Sequence, residues 1–362
     1  MKLVYLASST LPSRGADAVH VINMCKAFAE NGIEVTLIAR KSNFSEDIFE
    51  YYGIKKNLFK IELVYRPNIR ILGGFIYGRN VLKKFNTIEK PDVIYARSIH
   101  GLNKVYKKGI PYIFESHWIP TNKFYFNWQK KWLNDKNLIS FVLISNGLKK
   151  YYDKLFSEFS NKFKIFHDAS NIPNNFSVKF RKEKTLNIGF VGSFFKGNGY
   201  ELIADMAKEL PDHNFHIVGG SDPILSKLKS KYKDIPNLSL HGHIPFGKIM
   251  KIYEKMDIML APYQNNLPSL DWASPMKLFE YMAMHKPIIA SDFPIMREIL
   301  NENNSILVKA DDIEQWCEAI ASLQDINKRK ILAENAYEDF IKRYTWNKRA
   351  NNIISLIKDY RK

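Results

Sequence analysis

The chain has 362 residues, 46% hydrophobic and 25% charged, with a formal net charge of +17. At roughly 100–200 residues per domain this length gives about two domains, and the composition excludes disordered and collagen-like chains. Two cysteines, Cys25 and Cys317, are too few for a disulfide framework and fit a reducing compartment.

The chain opens on KLVYLA, an apolar run that reads as a buried strand. The run Leu3 to Ala7 is too short for a signal-peptide core. Leu138 to Ser145, also read as a buried strand, falls well short of the ~20 apolar residues that span a bilayer. The protein is therefore expected to be soluble or bound to a surface. A loop at Ser13-Arg14-Gly15-Ala16 leads into an amphipathic helix from about Ala18 to Asn31, closed by Gly32, and IEVTLIAR follows as a second strand. This is one strand–helix–strand unit of a parallel sheet. Further strands are expected at Phe59–Tyr65, Asp92–Tyr95, Pro111–Glu115 and Phe141–Ile144.

Periodicity collapses near residues 168–184, where DASNIPNNFSVKFRKEK reads as a linker. The β/α alternation then restarts with LNIGFVG, a helix from about Gly199 to Leu210, NFHIVGG, LSLHGHI, a helix near Phe246–Lys255, DIMLAPY, a helix from about Pro275 to Met284, and PIIASD. The tail from Thr345 to Tyr360 is helical. The expected fold is α/β, with two doubly wound Rossmann-like domains facing across a cleft at the carboxyl ends of their strands. Residues 1–170 form the first domain, 171–186 the linker and 187–342 the second domain. Residues 343–362 form a last helix expected to pack back on the first domain.

The charge is uneven. Residues 1–180 carry 28 Lys and Arg against 14 Asp and Glu, and residues 181–362 carry 26 against 23. The excess is densest from Lys123 to Lys164, where lysines interleave with aromatics. One reading is a solvated lysine-rich surface over an aromatic core. The other is a cationic, aromatic-studded face suited to an anionic membrane.

The most informative segment is SPMKLFEYMAMHKPIIASD, residues 274–292. Ser274 is a good N-cap and Pro275 fits the first helical position. The free N–H groups and positive pole of that helix start suit a diphosphate. Lys277 adds a cation, and Glu280, one turn deeper on the same face, is placed to accept two ribose hydroxyls. The alternative is an ordinary capped helix with Lys277 and Glu280 as a surface pair.

This segment closely resembles the donor motif of the family 4 retaining glycosyltransferases, in the subset with SPxKxxEYMA, which have the two-domain GT-B fold. GADAVHVINMCKAFAENGIEVTLIA, DVIYARS, IPYIFESHW, LNIGFVGSFFKGNGYELI and FHIVGG resemble other segments of that family in the expected order. The resemblance implies that Glu280 holds the ribose. It places the backbone N–H groups of Ser274 and Met276, around Pro275, together with Lys277, on the diphosphate. Gly15 and Ala16 would let the first loop approach the diphosphate or donor sugar, and His117 would lie near the transferred sugar, a structural histidine being the other reading. His243 and Ile244 would cradle the base with their backbone, and Gly192 and Ser193 would open the phosphate-facing loop of the second domain. Lys196 would either reach the diphosphate or be a solvated loop lysine.

Two positions depart from the family pattern. Trp272 stands where the first Glu of Glu-x7-Glu is usual, with Asp271 beside it, and the usual Gly-Arg reads Gly192-Ser193. No metal or other cofactor is expected: D-x-D is lacking, and Asp311-Asp312 reads as a helix-capping pair. The implied activity is retaining transfer from a nucleotide sugar, UDP-sugar favoured, to a hydroxyl of a lipid-linked or polysaccharide acceptor in bacterial surface glycan synthesis. Location is expected to be cytoplasmic, peripheral on the inner face of the plasma membrane and held there by anionic lipid. A sugar-nucleotide epimerase of the same architecture is the alternative. A nucleic-acid-binding protein is disfavoured by the lack of a reader motif.

Overall fold

The computed structural model describes residues 1–70, 72–173, 178, 180–244 and 246–361. The chain divides into two compact units, Met1–Asp168 with Trp346–Lys362, and Ala169–Thr345. Of the segment read as a linker, residues 174–177 and 179 lie outside the described residues.

Unit 1 is built on a seven-stranded parallel sheet. Its strands are β1 (Lys2–Leu11), β2 (Glu34–Lys41), β3 (Lys60–Val64), β4 (Val93–Ala96), β5 (Tyr112–Ser116), β6 (Leu138–Leu143) and β7 (Phe163–Ile165). They lie in the order β3-β2-β1-β4-β5-β6-β7. Leu3 to Ala7 of the central β1 are buried without a break, because a parallel strand covered by helices on both faces has no solvent side. The order reverses between β1 and β4, and the carboxyl ends at such a switch point are where doubly wound sheets place their ligands. The helix Ala16–Glu30 starts at that end of β1, and the last helix, Trp346–Tyr360, packs against it within unit 1.

Unit 2 repeats the plan with six parallel strands. These are β8 (Asn187–Val191), β9 (Asn214–Val218), β10 (Leu238–Gly242), β11 (Ile258–Ala261), β12 (Ile288–Ser291) and β13 (Ile306–Val308). They lie in the order β10-β9-β8-β11-β12-β13, with the switch between β8 and β11. Strand alternation sends Ile258, Leu260 and Ile289 into a core that includes Trp316 and Ile320. Their neighbours Met259, Ala261, Ile288 and Ala290 go into a second core with Leu278, Phe279 and Phe340. Among the described residues no helix is long and apolar enough to cross a membrane.

Candidate active site

In unit 2 the helix Met276–Ala283 is fixed by Tyr281. Its hydroxyl accepts the Val191 N–H at 3.1 Å and lies 3.3 Å from the Leu260 carbonyl, tying the helix to the ends of β8 and β11. The expected N-cap needs correction. Ser274 does not cap this helix, and Pro275 is not its first residue. Pro275 is itself the cap, with extended backbone (φ −72°, ψ 106°) and no side-chain bond to the helix, and the helix begins at Met276. The proline carbonyl instead receives the Leu278 N–H at 3.1 Å.

One residue into the helix, Lys277 lies at the positive pole, the wrong end for a cation. Its Nζ is 4.1 Å from the centre of the Phe190 ring and 4.8 Å from that of Tyr263. Burial pushes its pKa down to about 7, with Glu280 acting in the opposite direction. The same ammonium abuts Gly192. A Cβ built there would meet Nζ at 2.7 Å and the edge of the Phe190 ring at 2.8 Å, so a side chain at this position would have to displace the end of the lysine. Glu280 lies one turn further along, and Tyr253 donates its hydroxyl to Glu280 Oε2 at 2.5 Å. Burial raises the Glu280 pKa, opposed by the Tyr253 bond and by Lys277. Among the described residues no hydrogen bond reaches the second carboxylate oxygen, Oε1, which can still accept one.

The remaining expected donor-side residues sit on loops of unit 2. Ser193 Oγ accepts from the Asn198 side chain at 3.0 Å, folding the loop after β8 on itself, and Lys196 is exposed on that loop. Gly199, with φ +76°, passes so close to Pro262 that a Cβ would meet its carbonyl oxygen at 1.8 Å. His243 and Ile244 follow β10 directly, and the next residue, Pro245, lies outside the described residues. Asp312 caps the helix Ile313–Ser322 by accepting from the Gln315 N–H, and Asp271 is exposed.

In unit 1, Gly15 is the N-cap residue of Ala16–Glu30, and a Cβ there would meet Asp17 Oδ1 at 2.4 Å. One turn on, His20 is buried, with Nδ1 2.8 Å from Asp168 Oδ1 and Nε2 2.9 Å from Glu115 Oε1. His117, just past the end of β5, places Nε2 2.5 Å from the same Glu115 oxygen and packs edge-on against His20 with ring centres 5.0 Å apart. Arg349 Nη2, from the last helix, holds Glu115 Oε2 at 2.8 Å, Tyr95 donates to that oxygen as well, and Arg97 Nε lies 3.6 Å from Oε1. Burial opposes the Glu115 charge, but Arg349 and the two histidines hold its pKa well below the usual range. Burial, helped by Arg97, pushes His117 down to about 4.

The candidate nitrogen and oxygen ligands of His20, His117 and Asp168 lie within 4.8 Å of one another, the spacing of a metal site. Two guanidiniums already balance Glu115 there, and the arrangement reads as an ion-paired hydrogen-bond network. Sequence reasoning missed Tyr253, Tyr263, Phe190, Glu115 and Arg349. Glu115 alone carried a signal, as an acid two residues before a strand-end histidine.

Residues 18–156 match the family described as Glycosyltransferase Family 4, and residues 185–325 match the one described as Glycosyl transferases group 1. Together the two matches take in most of both units. The chain belongs to glycosyltransferase family 4. An uncharacterized glycosyltransferase of Methanocaldococcus jannaschii is 23% identical over 381 residues, covering 95% of this chain and 94% of the relative. The O-antigen chain mannosyltransferase of Salmonella typhimurium is 22% identical over 61% of this chain and 60% of its own length. Among solved structures, Anabaena HepE with UDP and glucose aligns over 99% of both chains with a TM-score of 0.75 at 14% identity. The fold of this glycosyltransferase is GT-B.

Proposed function

We propose that this family 4 enzyme is a retaining glycosyltransferase moving a sugar from a nucleoside-diphosphate donor, UDP-sugar favoured, to a hydroxyl of a lipid-linked or polysaccharide acceptor. The observation that carries the donor side is the Lys277 ammonium, packed on Gly192 beside a Glu280 pinned by Tyr253. In this reading Glu280 Oε1 accepts ribose hydroxyls, while Lys277 and the first N–H groups of the helix, that of Met276 among them, neutralise the diphosphate. Ser274 and Pro275 shape the entry to that helix, and Gly192, Ser193 and Lys196 form the loop over the phosphates. His243 and Ile244 face the base.

Departure of the nucleoside diphosphate builds charge on phosphate oxygen, and fixed N–H groups with one ammonium stabilise such charge without reorganisation. No metal enters this scheme. Retention follows if the acceptor hydroxyl attacks from the face the phosphate leaves and passes its proton to that phosphate. Gly15 and Ala16 give close approach to the donor, and His117 serves the transferred sugar. The relatives support the substrate classes: one is named as an O-antigen chain mannosyltransferase, and HepE was solved with UDP and glucose.

A membrane-borne acceptor accords with unit 1. Residues 116–134 contain three lysines and no acidic residue, and Phe124 and Trp118 are 67% and 66% exposed. We place the enzyme at the cytoplasmic face of the membrane through this surface, with no specific nucleic-acid partner. Flotation with anionic vesicles at low salt tests that placement, and absence of binding removes it. Glu280→Ala is the test of the donor site. Use of a UDP-sugar, chosen from a panel by thermal shift, should fall sharply while the protein stays folded, and near-normal turnover overturns the assignment.

A further inference from the structure

The buried carboxylate of Glu115 meets five partners contributed by four parts of unit 1, far more than a structural counter-ion needs. Its side chain is fully buried, and Arg349, itself 2% exposed, closes on Oε2 at 2.8 Å. An ionised carboxylate can only accept hydrogen bonds. The His117 nitrogen 2.5 Å from Oε1 must therefore carry a proton. In a neutral imidazole the other nitrogen, Nδ1, is then a bare acceptor. Among the described residues Nδ1 has no hydrogen-bond partner, and the side chain keeps 13% of its surface exposed at the carboxyl edge of the sheet. His20 packs against the His117 ring edge-on, and Trp346 backs His20 at 4.9 Å in the same manner, so the plane of the His117 ring is set by packing as well as by Glu115.

We propose that Glu115, clamped by Arg349, is a positioning residue that holds His117 in the Nε2–H tautomer and presents Nδ1 as an acceptor for a substrate hydroxyl. This rests on the reading of His117 as a sugar-side residue. It assigns that side chain a direction of hydrogen bonding: it receives a proton-bearing group and does not donate one. It also gives the last helix a part in the site of unit 1, because Arg349 keeps the carboxylate charged where burial alone would protonate it.

The paired variant Glu115→Gln/Arg349→Met removes one negative and one positive charge together, leaving Arg97 with Asp168 as its opposite charge. We expect it to fold, to bind UDP as tightly as the parent, and to turn over the UDP-sugar chosen by the panel screen at least tenfold more slowly. Imidazole 15N shifts should report the Nε2–H tautomer for His117 in the parent and a mixture in the paired variant. Parent-like turnover in the paired variant overturns the proposal and leaves Glu115 as the counter-ion of Arg349. Should the paired variant fail to fold, the parent spectrum decides alone, and an Nδ1–H tautomer for His117 refutes the proposal. His117→Ala separates the two levels. Normal turnover there removes the His117 reading itself. Slow turnover in His117→Ala beside normal turnover in the paired variant removes only Glu115.

Discussion

Lys277 provides the most quantitative test of the donor site. Half-buried beside two rings at the positive end of a helix, its ammonium has a pKa lowered to about 7 from an ordinary value of 10.5. A bound diphosphate supplies the missing counter-charge and returns the lysine to its cationic form. Donor binding must then take up a proton wherever the free enzyme holds Lys277 neutral. With a free-enzyme pKa of about 7, the protonated fraction falls from about a quarter at pH 7.5 to about 3% at pH 8.5. UDP affinity should therefore weaken roughly eightfold across that interval. Calorimetric titration at pH 8 in buffers of different ionisation heat should show close to ~0.9 proton taken up per UDP bound. Lys277→Met should bind more weakly and lose both the slope and the uptake. A pH-independent affinity in the parent, or the same slope in Lys277→Met, refutes the argument that this ammonium is neutral before the donor arrives.

Removing the Tyr253 hydroxyl deprives Glu280 of a hydrogen bond to a charged group, worth roughly 1.5–3 kcal/mol; titration calorimetry of Tyr253→Phe should show UDP binding about tenfold weaker, a smaller loss than for Glu280→Ala. His117, held near pKa 4 in the fold, stays neutral where the unfolded chain takes up a proton. The unfolded state thus binds more protons, and this residue's contribution to stability falls by roughly 1.4 kcal/mol per pH unit as pH drops from about 6.5 to 4. Urea unfolding across that range should show a shallower slope for His117→Asn, and an unchanged slope counts against a neutral buried imidazole. Asp168, lowered to about 2 with His20 as its partner, adds a further loss only below the ordinary carboxylate range. At Gly199 the left-handed backbone and the nearby Pro262 carbonyl leave no place for a methyl group, so Gly199→Ala should lower unfolding free energy by more than about 2 kcal/mol.

The parallel sheets were legible because buried strands such as KLVYLA and DIMLAPY are nearly continuous apolar runs separated by helical periodicity and glycine turns. Lys277 and Glu280 were legible because their spacing on one helix is a local property. Tyr253 was not, since its helix carries no mark that points it at Glu280, 27 residues away. Arg349 was still less so: it reaches Glu115 across 234 residues, and no periodicity in either segment encodes the meeting. The Ser274 cap failed for a local reason, because the extended Pro275 takes the cap position itself and the helix starts one residue later. Pattern reads out elements and their faces. It does not read out which distant side chain satisfies a buried charge.

The division of unit 1 into two stretches of chain has a bearing on how the enzyme is made. A ribosome delivers residues 1–168 first, then the whole of unit 2, and only afterwards the helix that carries Trp346 and Arg349. Until that helix emerges, Glu115 lacks the Arg349 guanidinium and the face of Ala16–Glu30 on which the helix rests is bare. The nascent first unit must therefore persist as an incomplete body during synthesis of 177 intervening residues. A chain stopped at Thr345 would thus be missing part of its first unit rather than a dispensable tail.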